Sequence, residues 1–314
     1  MVEEKKLKKT AYLFPGQGAQ YTNMAVDLLS SASVNSIFET ASEILGKDIK
    51  EILSSDADVL KRTDVSQSAI TAANLAAAAF LGEKGFSPCA CAGFSLGEYA
   101  ALVCAGVINT ADCFRLIKAR GDAMQKAADN FRGGMAAVMG LDSEYAEKLI
   151  AQWNAEGLKD LYAANINSPK QLVISGTDAA LAEAQPRFLQ VGAKRVIRLQ
   201  VAGPFHSPLI KDALDDFMPV LESISFRDPY IAIFSNVTGK KITSGAQAKE
   251  LAVKQITSPV RWVEEEAAIA ASAVDVCFEA GPGKVLQGLW KDSAANGIPI
   301  YAAGTAEDIE KIII

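Results

Sequence analysis

Cys89-Ala90-Cys91-Ala92-Gly93-Phe94-Ser95-Leu96-Gly97-Glu98 is the stretch from which the rest of this chain can be read. Its first four residues are small and apolar, as in a short buried strand. Its last residue opens Glu98-Tyr99-Ala100-Ala101-Leu102-Val103-Cys104, good helix material that stops at Gly106. Between the two lies Gly-x-Ser-x-Gly. A strand–Ser–helix junction of this kind holds the serine oxygen above the carboxyl edge of a sheet. Gly93 and Gly97 let the backbone turn sharply because they carry no side chain to clash. The helix N-terminus beneath offers free N–H groups and a positive dipole end. Ser95 is therefore a candidate nucleophile; the competing explanation is a glycine-rich turn that needed a small polar residue.

Working outward, strands alternate with helices, which predicts an α/β fold with a mostly parallel sheet covered on both faces. Thr10–Phe14 reads as a first strand, running into the tight loop Pro15-Gly16-Gln17-Gly18-Ala19-Gln20. Helical patterns follow over Ser33–Leu45, over the Ala-rich run Ser68–Leu81 behind Asp64-Val65-Ser66-Gln67, and from Thr110 to about Ala127. Between Gly134 and Val201 the order becomes β-α-β-β-α-β, the split unit of a ferredoxin-like subdomain. Its strands are expected at Met135–Met139, Leu161–Ile166, Leu172–Ser175 and Arg195–Gln200, with Asn167-Ser168-Pro169-Lys170 as a link. α/β patterning then resumes, with a helix over Leu209–Leu221 and strands at Ile231–Phe234, Val274–Phe278 and Pro299–Tyr301. The expected division is a catalytic part from 1–130 and 202–314, with 131–201 inserted as the small subdomain. The charged N-terminus is expected to fray.

Half of the 314 residues are apolar, enough for a full core, and the net charge of −6 gives no case for general nucleic-acid binding. No apolar signal core follows the charged start, and the apolar run Ala69–Leu81 is too short to span a bilayer. The five cysteines are odd in number and form no Cys-x-x-Cys, which fits reduced thiols in a cytoplasmic protein rather than a disulfide frame or zinc site. The expectation is a cytoplasmic monomer with no membrane or nucleic-acid partner, no metal and no redox cofactor.

A serine hydroxyl needs a base at neutral pH, and His206 is the one histidine in the chain. It lies in Gly203-Pro204-Phe205-His206-Ser207-Pro208, a loop of the kind where site residues gather. Acyl transfer also needs donors for an oxyanion. The Leu96 N–H, just after the nucleophile, is the natural first donor, and the Gln17 loop either supplies a second or is merely a tight turn. On the helix from Thr110, Arg120 falls on the apolar stripe of Cys113, Ile117 and Met124. An inward arginine needs a partner: a structural ion pair, water reached by snorkelling, or an anionic substrate.

Six motifs stand in order: Phe14-Pro15-Gly16-Gln17-Gly18, Gly93-Phe94-Ser95-Leu96-Gly97-Glu98-Tyr99, Arg120-Gly121, Asn165-Ile166-Asn167-Ser168-Pro169, Phe205-His206-Ser207 and Gly281-Pro282-Gly283-Lys284. From about Thr10 to Gly304 the chain resembles the malonyl-CoA:acyl-carrier-protein transacylases of bacterial fatty-acid synthesis, a family that shares its fold with polyketide synthase acyltransferase domains. The resemblance implies an α/β-hydrolase-like large subdomain, with malonyl-CoA and acyl carrier protein as partners. It implies Ser95 as nucleophile, His206 as general base, Arg120 on the malonyl carboxylate, and Gln17 with the Leu96 N–H as oxyanion hole. The backbone carbonyl of Gln255 would orient the imidazole, and Phe205, Asn165 and Met135 are expected at the substrate pocket. Phe94 stands where many relatives have His, which bears on pocket packing and acyl preference. The bulk of Phe205 would leave little room for a methyl branch. Lys194, Arg195 and Arg198 form a candidate basic patch for an acidic carrier protein, or an ordinary solvated charge cluster. The alternatives are a serine esterase or thioesterase, a polyketide-type acyltransferase with another acyl group, and a non-catalytic carrier-binding module.

Overall fold

A computed structural model describes residues 8–293, 295 and 297–312; the fraying expected of the N-terminus falls on residues largely outside these. In chain order the elements are β1 (Thr10–Phe14), α1 (Ala32–Leu45), α2 (Ile49–Leu53), α3 (Thr63–Glu83), β2 (Pro88–Gly93), α4 (Gly97–Cys104) and α5 (Thr110–Asp129). Next come β3 (Gly133–Met139), α6 (Ser143–Ala155), β4 (Leu161–Ser168), β5 (Gln171–Thr177), α7 (Asp178–Gln190) and β6 (Arg195–Arg198). The chain continues with α8 (Ala213–Glu222), β7 (Ala232–Ile233), α9 (Gly245–Gln255), α10 (Trp262–Ala271), β8 (Val276–Glu279), α11 (Val285–Trp290), β9 (Ile300–Ala302) and α12 (Ala306–Glu310).

Two sheets organise these elements. The larger has the order β7-β2-β1-β8-β9, every neighbouring pair parallel. β1 and β2 sit side by side with Phe14 opposite Gly93, so the loops leaving them emerge together at the carboxyl edge. That edge is where open α/β sheets place ligands. The smaller sheet is antiparallel, in the order β4-β5-β3-β6, as the split βαβ pattern requires.

The small sheet shows how period-2 patterning joins it to the rest. Ala136 and Val138 face α6 and α7 in one apolar cluster, while the intervening Met135 and Ala137 belong to the main core. Ile166 N–H donates to Val260 O and Val260 N–H to Ala164 O, both at 2.8 Å, so the β4 edge is closed by a segment of the large part. The Ser175 hydroxyl donates to Phe205 O at 2.5 Å, fastening the central strand β5 to the loop that carries His206.

The structure moves several expected boundaries. α3 starts at Thr63, five residues before Ser68, because the polar side chains of Ser66 and Gln67 are buried rather than solvated. The apolar run Ala69–Leu81 is part of a longer helix: at 21 residues, α3 as a whole is long and apolar enough to cross a membrane by length and composition alone. However, 78% of its most apolar window is buried inside the protein, and a helix apolar all round is what a large core holds. The helix expected from Leu209 begins at Ala213, after a 3-10 turn over Pro208–Ile210. β4 runs on through Ser168, leaving only Pro169 and Lys170 between it and β5. The short helices α2 and α12 have too few residues to show a period.

Candidate active site

At the junction of β2 and α4, Ser95 takes φ 50, the left-handed region that non-glycine residues rarely adopt. The flanking glycines are required by close approach. A Cβ on Gly93 would stand 2.0 Å from the Gly97 carbonyl carbon, and one on Gly97 would stand 2.0 Å from Phe14 O. Phe94 N–H donates to Phe14 O at 2.9 Å, tying the elbow to the end of β1. From the same side comes the Gln17 loop, where a Cβ on Gly16 would lie 2.4 Å from Phe94 O. Among the described residues, neither the Leu96 N–H nor the Gln17 N–H donates to a protein acceptor. Gln17 lines the cleft beside Ser95.

Ser95 Oγ lies 2.7 Å from His206 Nε2. On the far side of the ring, Nδ1 faces two backbone carbonyls, Gln255 O at 3.0 Å and Ser258 O at 3.2 Å. Carbonyls only accept, so Nδ1 carries the proton and Nε2 is the lone-pair nitrogen turned to the serine. Burial, with the Arg120 cation adding to it, lowers the His206 pKa to about 4, which keeps the ring neutral at physiological pH.

Arg120 is 1% exposed. Its Nη1 donates to Gln67 Oε1 at 2.9 Å, and its Nη2 to Gln255 Oε1 at 3.1 Å and Ser95 Oγ at 3.3 Å. The guanidinium also lies over the Tyr99 ring, 5.5 Å from its centre. These neighbours are all uncharged, and Arg120 Nε has no acceptor among the described residues. A buried cation served by amides and a ring is under-compensated, and burial accordingly pulls its pKa down.

Below this layer lies a second polar set. Glu98, in the first turn of α4, accepts from Gln255 Nε2 at 2.5 Å and from Asn236 N–H at 3.1 Å. Burial pushes its carboxyl up to about 7, opposed by those two hydrogen bonds and by Arg120. Asn236 Nδ2 donates in turn to Glu265 Oε1 at 2.8 Å. Burial drives the Glu265 pKa well up, and neighbouring Glu98 adds to it.

The resulting cleft, about 190 Å³, has Gln17, Ser95, Arg120 and His206 on its walls together with Met135, Asn165 and Phe205. A wider surface groove of about 520 Å³ near Phe38, Lys47 and Asp48 holds no nucleophile–base pair. Phe94 reaches the same cleft and stacks edge-on against Trp262 at 5.4 Å, so an apolar pair fills the place of a polar ring. Lys194, Arg195 and Arg198 lie outside the cleft on the exposed edge of the small sheet, and Arg198 is already paired with Asp178 at 2.5 Å. Sequence reasoning missed Gln67, Glu98, Asn236 and Ser258. All but Ser258 are buried polar residues that a hydropathy pattern reads as outward.

A serine at an elbow, a neutral histidine on it and a guanidinium beside both describe an acyl-transfer site on an α/β scaffold. The chain belongs to the acyl transferase family: the family described as "Acyl transferase domain" matches residues 11–311. It is 40% identical over 289 residues to the malonyl CoA-acyl carrier protein transacylase of Haemophilus influenzae, covering 91% of this chain and 92% of that one. The structure of MCAT from Streptococcus pneumoniae superposes with a TM-score of 0.90 at 34% identity, covering 97% of this chain and all of that one. A malonyl-transacylase solved in complex with its type II PKS acyl-carrier protein gives a TM-score of 0.88 at 36% identity, over 96% of this chain and 98% of that one.

Proposed function

We propose that this chain transfers a malonyl group from malonyl-CoA to the phosphopantetheine thiol of acyl carrier protein, supplying fatty-acid chain elongation. The observation that carries the reading is the buried, under-compensated Arg120 guanidinium touching the same Ser95 oxygen that His206 holds. Malonyl-CoA brings the missing carboxylate, which a guanidinium binds as a charge-assisted fork.

In the first half-reaction Ser95 Oγ attacks the thioester carbon while His206 Nε2 takes its proton. The Leu96 N–H and Gln17 hold the oxyanion. The C–S bond breaks, His206 returns the proton to the departing CoA sulfur, and an O-malonyl-Ser95 ester remains. In the second, the carrier's thiol gives its proton to His206 and attacks the ester, restoring Ser95. Phe205, Asn165 and Met135 shape the acyl pocket. No metal or redox group enters this scheme. The Gln255 and Ser258 carbonyls orient the imidazole where an esterase would use a carboxylate, which supports transfer over hydrolysis. The same reading makes the chain a cytoplasmic monomer; its five free thiols support a reducing compartment.

Intact-protein mass spectrometry after incubation with malonyl-CoA tests this. One malonyl adduct on the wild type and none on Ser95→Ala is expected. No adduct on the wild type, or one that persists on the variant, would sink the assignment.

A further inference from the structure

Gln255 meets each of the three site residues. Its backbone oxygen accepts from His206 Nδ1, its side-chain Oε1 accepts from Arg120 Nη2, and its Nε2 donates to Ser95 O at 2.8 Å. An amide could satisfy these contacts in only one orientation, and something must choose it. Ser95 O can only accept, Glu98 Oε2 accepts as well, and both lie on the Nε2 side. Glu98 thus turns Nε2 towards itself and leaves Oε1 as the end presented to Arg120.

Glu98 is also out of place for a first-turn acid. Such residues ordinarily face water at a helix N-terminus, whereas this one is 4% exposed and spends both oxygens on internal donors. Against burial, the charged form of the guanidinium is favoured first by Tyr99 beneath it and then by Glu98, which acts from one amide away. A carboxylate in direct contact would hold the cation as a closed salt bridge. A countercharge beyond Gln255 keeps the cation charged while its inner face stays free for a ligand.

We propose that Glu98 is a positioning residue for acyl selection: acting through the Gln255 side chain, it presents Arg120 to the cleft as an open cation and so sets the preference for acyl groups bearing a free carboxylate. This rests on the reading of the site given above. The reaction's bonds are unchanged by it; Glu98 touches no reacting atom.

Glu98→Gln replaces the acceptor by a group whose NH2 must oppose Asn236 N–H or Gln255 Nε2. The second clash is relieved only by turning Gln255 round, which sets a donor against Arg120. Gln255→Met removes the relay and leaves Glu98. We would measure kcat/KM for malonyl-CoA and acetyl-CoA on wild type, both single variants and the double variant. The expected result is a malonyl-to-acetyl ratio lowered roughly tenfold or more in Glu98→Gln, the scale of a lost hydrogen bond to a charged group. Gln255→Met should lower the ratio similarly, and the double variant no further, because both act on one path. A merely structural Glu98 would lower both substrates by one factor and leave the ratio unchanged; that outcome, or ratio changes that multiply in the double variant, overturns the inference. If Glu98→Gln does not fold, Gln255→Met with an unchanged ratio overturns it equally. A wild type that accepts no malonyl group would overturn the reading of the site itself, a result distinct from both.

Discussion

Ser95 and His206, 111 residues apart, meet at 2.7 Å from backbones that both sit in the left-handed region, with φ 50 and φ 56. Each such non-glycine residue costs on the order of 1–3 kcal/mol and persists only where its surroundings over-determine it. At Ser95 they do, through the backbone contacts at Gly93 and Gly97. Ser95→Gly and Ser95→Ala lose the same hydroxyl, so comparing them isolates the strain. Both should be inactive, yet the glycine variant should be the more stable by about 1 kcal/mol. Equal denaturation midpoints would show the conformation to be unstrained.

The pH profile of acylation should report His206. In the reaction proposed above its neutral form would be the base, and that form is lost only as pH falls through a pKa lowered to about 4. kcat/KM for malonyl-CoA should therefore hold between pH 7 and pH 5, and fall only as pH nears 4. Because Arg120 contributes to the lowering, Arg120→Ala should move the acid limb upward, as followed with acetyl-CoA. A wild-type limb near the ordinary histidine value of about 6.5 would mean that the ring is more hydrated than its burial indicates.

Arg120 should discriminate between acyl groups. Arg120→Ala removes the guanidinium and should cost malonyl transfer on the order of 2–5 kcal/mol, as when one partner of a desolvated charge pair is lost. Acetyl transfer, with no carboxylate to pair, should fall less or rise. Arg120→Lys should recover part of the malonyl activity, since an ammonium cannot reproduce the planar fork or hold Gln67 and Gln255 together. Steady-state kinetics with both thioesters decides; a common factor for the two would make Arg120 structural.

On the edge of the small sheet, Lys194 and Arg195 are exposed, whereas Arg198 is engaged with Asp178. If these two exposed cations guide an acidic carrier protein, Lys194→Glu with Arg195→Glu should slow transfer to the carrier several-fold and spare self-acylation from malonyl-CoA. The effect should shrink at high salt. Asp178→Asn, which frees Arg198, should act in the opposite direction. Equal losses in both half-reactions would remove the docking role.

What could be read in the sequence followed from backbone periodicity and glycine. The elbow was legible because β2, Gly93, Gly97 and α4 each carry a local signal. The stripe of Cys113, Ile117, Arg120 and Met124 was legible because α5 has a single buried face. The start of α3 was not: Ser66 and Gln67 are polar yet inward, and Gln67 is held there by tertiary partners on α5, Arg120 and Met124. Glu98 was hidden for a similar reason, since an acid at a helix start has a sufficient local explanation in the helix dipole. Ser258 acts through its main chain, for which its side chain gives no sign.

Gly16 and Gly97 let two loops touch main chain to main chain, with Phe94 O against one and Phe14 O against the other. At both contacts the nearest partner is a carbonyl oxygen, so the backbone that flanks Ser95 is held against the end of β1. Most of the cleft walls belong to other parts of the chain: Arg120 on α5, Met135 on β3, Asn165 on β4 and Phe205 on the loop fastened to β5, with Gln17 and Phe94 added by the two loops. An altered acyl repertoire can thus evolve by substitutions in those walls while the bond-making apparatus stays constant. A directed-evolution library should leave Gly16, Gly93, Ser95 and Gly97 untouched and concentrate its diversity at those walls, Phe94 included.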